Sequence, residues 1–367
     1  MAPLKSGKGR NFGKLVKIFG STLLGETVRQ QPITTATGGI EIIDGLTKYH
    51  VFHPNTGQPN TFTVSSTMSD SGTLMKILVI GGGGSGSGPY VGGGGGAGGV
   101  WYASSLAITN GTYPISVGDG SITSDAGYQP GLRGGTTTFA TPGYTVTSTG
   151  GGGGNKAYYS HDPTGIRDGG SGGGGGVQFA QPGGAGSAIA NGPYPGWVFY
   201  GHDGGGGAPY VANYDSGGGG GAGSQGADGS NSGGGGSGGA GQAFPEFPGP
   251  VIAPAIPTTT HRGVARSDPE RTEFINAVGP TGIFAGGGGG GRIPEAGGMA
   301  PGGTGGGGRA AMYGQSNSSP GLPSAGQPGV NYTGSGAGAN CLNRATYPDY
   351  CGQGGTGIVI VKYDYDP

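Results

Sequence analysis

The chain is poor in charge and in long apolar stretches, and each shortage excludes a class of protein. Only 10% of its 367 residues are charged, and its formal net charge is −1. No apolar run approaches the ~18 residues of a membrane-spanning helix, so we expect no membrane insertion. The basic start has Lys14 and Lys17 within its apolar stretch and lacks a small-residue cleavage site, so a signal peptide is not expected.

Cysteine is almost absent, and the two that occur are close together. Cys341 and Cys351 bracket the segment CLNRATYPDYC. Two cysteines alone do not make a zinc site. The spacing leaves two interpretations open, a disulfide that closes this loop or two free thiols.

Motifs that indicate catalysis or cofactor binding are present only as by-products of the glycine content. Residues 78–86 fit a strand followed by G-x-G-x-x-G, but no helix and no suitably placed acidic residue follow. Ser171 and Ser237 fit G-x-S-x-G without a strand-to-helix elbow. The five histidines show no metal-ligand spacing, and no glycine loop ends in G-K-[ST]. We therefore expect no catalytic residue, metal or cofactor, and a protein that is not an enzyme.

Glycine is what the chain has in abundance: 98 residues, which with 27 prolines make up about a third of the sequence. Such a composition usually indicates a flexible chain. The ordered alternative, which we expect here, is a bundle of packed polyglycine II helices joined by backbone hydrogen bonds. Twelve glycine-rich runs are candidates: 81–88, 92–99, 150–154, 169–176, 183–187, 204–207, 217–223, 233–241, 286–291, 297–308, 334–339 and 352–357.

Short segments rich in β-branched and aromatic residues predict strands between turn signals. The overall prediction is a mostly β protein, an antiparallel β-sandwich with a large inserted polyglycine II bundle. The predicted regions are 1–47, a basic anchor segment; 48–149, the sandwich, completed by 357–363; and 150–356, the bundle with variable loops. The predicted strands are 49–52, 61–65, 74–80, 100–108, 113–117, 136–140, 144–148 and 357–363.

One helix is predicted, with Asp268 as N-cap, Pro269 in its first position and Gly279 at its end. Phe274 and Val278 share a face, and we expect this helix to cover an exposed edge. The N-terminal segment is basic and partly apolar, which fits either an anchor that docks on an assembly partner or a solvated tail. Its basic residues are Lys5, Lys8, Arg10, Lys14 and Lys17.

Aromatic residues concentrate in the loops between glycine runs. If neighbouring runs alternate in direction from Ile80 outward, one set of loops shares the distal end of the bundle. Exposed tyrosine and tryptophan are typical of recognition surfaces, although packing against the bundle ends or other subunits is an equal alternative. The predicted distal binding residues are Tyr90, Tyr158, Tyr159, Tyr194, Trp197, Phe199, Tyr200, Tyr347 and Tyr350.

The order of strands and glycine runs resembles the glycine-rich domain of phage and other virus structural proteins. The resemblance covers residues 48–363, from KYHVFHP and NTFTVSS through MKILVIGGGGSGS to the closing GGTGIVIVKY. The runs also resemble the polyglycine sandwich of phage tail-fibre-tip adhesins, whose tip loops contact host receptors. The chain start does not resemble the fibre-docking domain of those adhesins, so no receptor role is carried over to single residues.

This resemblance implies a virion structural protein of the tail-fibre or adhesin type. The expected partners are other virion proteins through the N-terminal segment, a host receptor or glycan at the loops, and further copies of the chain. No nucleic-acid partner is expected. A capsid decoration or cement protein is the alternative, followed by a cellular surface or matrix protein.

Overall fold

The computed structural model is mostly β, with strands arranged in antiparallel sheets and few helices. Its strands form two large sheets and two short ribbons, and the glycine-rich runs extend from one end of the larger sheet. The structure describes residues 34–54, 60–67, 72–88, 91–122, 130–156, 166–177, 181–186, 194–209, 214–230, 234–258, 269–293, 299–311, 326–340 and 352–365.

A five-stranded sheet has the strand order β1-β4-β7-β8-β9. Neighbouring strands pair antiparallel, as in Phe62 opposite Tyr113 and Phe139 opposite Val146. Its strands are β1 (Thr35–Thr37), β4 (Thr61–Ser66), β7 (Gly111–Ser116), β8 (Thr137–Ala140) and β9 (Thr145–Ser148).

A six-stranded sheet lies beside it, with the order β10-β6-β5-β15-β3-β2. The last strand of the chain, β15, pairs with β5 and β3 in the middle of this sheet, so the two ends of the described chain are joined there. The strands are β2 (Ile40–Asp44), β3 (Thr47–Phe52), β5 (Thr73–Ile80), β6 (Val100–Ile108), β10 (Val198–Tyr200) and β15 (Ile358–Asp364).

The six-stranded sheet is buried on both faces, because its strands alternate apolar side chains toward two cores. Ile77 and Val79 of β5 face the five-stranded sheet and pack in one core with Phe62 and Phe139. Leu78 of β5 and its neighbours on the opposite face belong to a second core, which helices and turns from residues 244–285 cover.

Two α-helices and a short 3-10 helix form this covering layer in the described part of the chain. They are α1 (Gly249–Ile252), the 3-10 turn Ala253–Ala255 and α2 (Glu270–Val278). Pro269 is the N-cap of α2, not its first residue, and Gly279 ends it with φ 61°. Phe274 and Val278 are buried in the second core, and α2 contacts α1, the 3-10 turn and residues 283–284. The expected cover of an exposed edge stays a prediction. Asp268 lies outside the described residues.

The eight strands predicted from sequence are confirmed, most to within one or two residues, whereas the shorter strands were missed. Residues 35–44 were assigned to the N-terminal segment, but β1 and β2 pair within the two sheets. The short strands pair antiparallel as β11 with β14 and β12 with β13. These strands are β11 (Tyr214–Asp215), β12 (Gln242–Ala243), β13 (Ile283–Phe284) and β14 (Arg292–Ile293).

Candidate functional site

Hydrogen bonds between the glycine-rich runs follow a repeat of three residues. In the run that follows β5, the N–H groups of Gly81, Gly84 and Ser87 donate to carbonyls of residues 99, 96 and 93. The next residues in the run, 82 and 85, donate to 135 and 132, and residues 83 and 86 donate to 355 and 352. One run is therefore bonded to a different neighbour on each of three sides. We call the set of runs joined in this way the glycine lattice.

Run 92–99 has neighbours on all sides. Its N–H groups donate to carbonyls in three segments, 149–155, 217–220 and 334–337. Its carbonyls accept from three others, and those donors are Gly81, Gly84 and Ser87 in the first segment, Ser171 and Gly174 in the second, and Gly288 in the third. Six surrounding segments leave this run no access to solvent, and its residues are buried.

Close packing explains why these positions are glycine. A Cβ atom on Gly94 would lie 2.2 Å from the carbonyl oxygen of Gly288, and one on Gly95 would lie 2.1 Å from that of Gly84. A Cβ on Gly96 would lie 2.3 Å from the oxygen of Ser171. Successive residues thus meet three different neighbouring backbones, which cannot move aside as a flexible side chain could.

Neighbouring glycine runs do not strictly alternate in direction. Gly152 and Asn155 donate to Ser171 and Gly174, so the run after β9 and the next run are parallel. The sequence prediction had them antiparallel, and the order of loops derived from it is wrong beyond residue 156. The chain makes additional passes that the glycine count did not reveal, including 131–135, 224–230 and 326–330.

Four residues of the predicted aromatic set are described, and they lie in or against the two large sheets, which together we call the sheet module. These residues are Tyr194, Trp197, Phe199 and Tyr200. Trp197 is 7% exposed, and its Nε1–H donates to Tyr144 Oη at 3.1 Å. The ring centroid of Phe199 is 5.0 Å from that of Trp101, and the centroid of Tyr194 is 4.9 Å from it.

Tyr200 packs on the other face of the same sheet, against Phe244 at 5.4 Å. Because β10 pairs with β6 next to these rings, the assignment of Tyr194, Trp197, Phe199 and Tyr200 to a distal end is wrong. These aromatic rings close the edge of the two sheets, and a binding role for them stays a prediction.

The other predicted site residues fall outside the described residues. They are Tyr90, Tyr158, Tyr159, Tyr347 and Tyr350 of the aromatic set, Cys341 and Cys351, and the basic residues Lys5, Lys8, Arg10, Lys14 and Lys17.

Carboxylates end the lattice along one side, a role that the sequence analysis missed. Asp168 Oδ1 accepts from the N–H of Ala185 at 2.7 Å, and Asp203 Oδ1 accepts from that of Gly186 at 2.7 Å. Asp228 Oδ1 accepts from Gly206 at 2.6 Å. Each carboxylate takes the place of a neighbouring carbonyl. Each Asp lies about 17–22 residues before or after the residue whose N–H it caps. This spacing is the one sequence signal for the capping role, and the many glycines make it hard to recognise.

A buried ion pair lies at the end of the lattice away from the large sheets. Asp215 is fully buried, its Oδ2 accepts from the N–H of Gly234 at 3.2 Å, and Arg292 Nε lies 3.9 Å from its Oδ1. Burial raises the pKa of the Asp215 carboxyl, against the opposing effects of the Gly234 N–H and the Arg292 charge. The pair joins β11 to β14 and holds two runs in register.

The segments that match catalytic or nucleotide-binding motifs are parts of the glycine lattice. The N–H groups of residues 81–87 donate to carbonyls of other runs, so they cannot cradle a phosphate. Ser171 is fully buried, with its N–H bonded to the carbonyl of Ala97. In the part of the chain that the structure describes, no three His, Cys, Asp or Glu side chains are placed to share a metal ion. The helices described there are too short to cross a membrane.

Comparison with known proteins identifies the family of the chain. A family profile described as a glycine-rich domain matches residues 56–364. No curated protein matches the chain. The matched residues include the glycine lattice and the strands from β4 to β15, whereas β1, β2 and β3 precede the match.

Proposed function

The chain belongs to the glycine-rich domain family, and we propose that it is a non-enzymatic structural protein of a virus particle, of the tail-fibre or adhesin type. In this proposal a β-sandwich carries an inserted bundle of polyglycine II helices, which holds loops rigidly for contact with a host receptor or glycan. The observation that carries the proposal is the three-residue hydrogen-bond repeat of the glycine lattice.

That repeat fits polyglycine II, which has three residues per turn and a rise of about 3.1 Å per residue. Every third N–H then points the same way, as those of Gly81, Gly84 and Ser87 do. Six neighbours around run 92–99 are what hexagonal packing of such helices provides. A scaffold of this kind needs few charged or large apolar residues, in agreement with the composition.

A presenting role is supported by where the chain leaves the lattice. Asn340 donates to Ser87, and Gly86 donates to Gly352, so both residues that flank 341–351 lie at the end of the run farthest from β5. Asn155 accepts from Gly93 near the same end. We place the receptor-contacting surface there, with Tyr90, Tyr158, Tyr159, Tyr347 and Tyr350 as its aromatic anchors, since rings on a stiff support lose little entropy on binding.

The virion setting rests on the resemblance of the strand and glycine pattern to virus structural proteins. The basic residues Lys5, Lys8, Arg10, Lys14 and Lys17 would then attach the chain to another virion protein. The proposed location is the surface of the extracellular particle.

Particle composition tests this proposal first. Purified particles of the encoding virus should contain the chain, and antibodies against it should label an appendage or the particle surface. A chain found only in infected cells and never in particles would contradict the virion role.

Adsorption tests the receptor surface. Particles with Tyr90→Ala, Tyr158→Ala and Tyr347→Ala together should adsorb to host cells at least tenfold more slowly, because anchor residues carry most of the energy of an interface. The matched control is Ser104→Ala, Ser105→Ala and Thr112→Ala on exposed positions of β6 and β7, which should adsorb normally. Equal adsorption by both variants would reject a receptor role at this end, whereas incorporation into particles tests the structural role separately.

A further inference from the structure

The sides of the glycine lattice are closed in different ways. The sheets close one end, and the Asp168, Asp203 and Asp228 carboxylates close a side by accepting from N–H groups that have no backbone acceptor among the described residues. Proteins usually protect rows of unpaired backbone groups, because such rows pair with other chains. A side without such protection therefore indicates a contact with another molecule.

One side has that property, and we call it the open face; it consists of residues 224–230 and 234–241. In run 234–241, the carbonyls of Gly236 and Gly239 accept from Gly290 and Gly287. The carbonyls of Ser237 and Ala240 accept from the adjoining run 224–230 and from Gly223. In the third set, the carbonyls of Gly235 and Gly238 have no donor among the described residues. These two oxygens form an acceptor row with a spacing of three residues.

The adjoining run, 224–230, supplies hydrogen-bond donors. In run 224–230, the N–H groups of Gly226 and Gly229 donate to the carbonyls of residues 203 and 206, and Ala227 donates to Ser237. The N–H groups of Gln225 and Asp228 have no acceptor in the described part of the chain. These two groups form a donor row, again three residues apart.

Both rows point away from the body of the lattice. Run 217–223 lies on the inner side of both runs, because Gly239 donates to Gly219 and Gly218 donates to Ala227. In a threefold backbone the set of groups that has no partner then points to the opposite side, outward. The open face thus offers donors and acceptors side by side.

Side chains on the acceptor side of this face are small. Ser237 and Ala240 of run 234–241 are half-buried, whereas run 224–230 also carries the exposed side chains of Gln225 and Asp228. Inside the lattice, Ala97 and Ala222 are fully buried between runs, so a methyl group fits a contact between backbones. A partner must match the three-residue repeat of donors and acceptors, which a second copy of the same face does.

We propose that the open face is a contact between two copies of this chain, in which the donor row of each copy bonds to the acceptor row of the other. A twofold interface requires a self-complementary surface, and one face with both rows meets that requirement. The proposed contact does not depend on the virion role.

Sedimentation of the full chain tests the contact over micromolar to millimolar concentrations. The wild type should show a concentration-dependent dimer. Ser237→Trp places a bulky ring on the open face and should leave only monomer. The matched control is Ser116→Trp on an exposed position of β7, outside the lattice, and it should dimerise as the wild type does. Thermal melting of both variants checks that each is folded.

A second variant keeps the test decisive if Ser237→Trp does not fold. Gln225→Pro removes one outward N–H and breaks no bond described here, and proline adopts the backbone conformation of polyproline II. Because both copies carry the substitution, the dimer loses two hydrogen bonds, which should raise its dissociation constant roughly 10- to 100-fold. A wild type that is monomeric throughout, or a dimer that neither variant weakens, would overturn the proposed contact.

Discussion

Packed side chains stabilise the sheet module, whereas hydrogen bonds between backbones stabilise the glycine lattice. In the sheets, buried apolar side chains such as Phe62, Phe139 and Val359 fill a core between two layers. In the lattice, the side chains are missing and the backbones bond directly, each run to several others. The same chain therefore contains one region that needs side chains and one that excludes them.

This difference predicts opposite responses to substitution. Removing atoms should destabilise the sheet module, because it leaves a cavity and loses apolar burial. Adding atoms should destabilise the lattice, because each added Cβ meets a neighbouring backbone. Conformational entropy makes glycine costly to order, and the lattice offsets that cost with many hydrogen bonds of about 0.5–1.5 kcal/mol each.

The largest effect is expected for Gly95→Val in the centre of the lattice. The new Cβ would lie 2.1 Å from the carbonyl oxygen of Gly84 and 2.6 Å from its carbon. Since these are backbone atoms, we expect a loss of about 4 kcal/mol or more, or failure to fold. Chemical denaturation measures it.

Gly143→Val is the matched control, because a Cβ at Gly143 would have no atom within 4 Å. It should change the unfolding free energy by less than about 1 kcal/mol. Equal tolerance of valine at both positions would contradict the account of the lattice as packed backbones.

In the sheets the corresponding test removes atoms, by truncating an aromatic side chain in the core. Phe139 is fully buried, and its ring centroid is 5.9 Å from that of Tyr113. Phe139→Ala should cost about 3–5 kcal/mol in the free energy of unfolding. Phe139→Leu, which retains most of the volume, should cost markedly less. An alanine variant as stable as the leucine variant would show that this core is not what holds the sheets together.

Acid should weaken the sheet module through His50. The ring is fully buried; its Nδ1–H donates to the carbonyl of Gly38 at 2.8 Å, and its Nε2 accepts from Tyr363 Oη at 3.1 Å. Burial lowers the pKa of His50 from 6.5 to about 4, against the opposing influence of Glu41.

The unfolded chain therefore binds this proton at a higher pH than the folded chain does. The stabilisation is complete above pH 6.5 and is lost as the pH falls toward 4. The loss should reach about 3 kcal/mol. Unfolding free energies of wild type and His50→Gln, measured from pH 7 to pH 4, isolate this residue from other acid effects. Parallel pH profiles for the two proteins would show that His50 does not cause the loss of stability in acid.

The sheets were largely predictable from sequence, and the lattice only in outline. Strand β6 was predicted at its observed bounds, Val100–Ile108, because β-branched and aromatic residues between turn residues mark a strand. Strands β1 and β2 were missed because residues 1–47 were assigned as a whole to the basic N-terminal segment. Residues 357–363 were expected to complete the sandwich from the far end of the described chain, but their pairing with β5 and β3 was not predicted.

The lattice could not be traced from sequence, because glycine has no side chain to indicate a neighbour. Run 224–230 contains only two glycines and was not counted, yet it bonds on three sides. An outer run needs glycine only where it faces inward, as Gly226 and Gly229 do toward run 215–218. The aromatic set was misplaced for the same reason, since a missed run shifts every later loop.

The smallest effect is expected at the capped side of the lattice, where Asp203 accepts from the N–H of Gly186 at 2.7 Å. Asp203→Ala removes this acceptor and adds no bulk. Because the side is exposed, water replaces part of the bond, and the cost should be about 1 kcal/mol. Asp203→Asn retains a side-chain oxygen and should cost less. Hydrogen exchange at the Gly186 amide reads the change locally, and exchange that is equally slow in the alanine variant would mean that the carboxylate does not close this side.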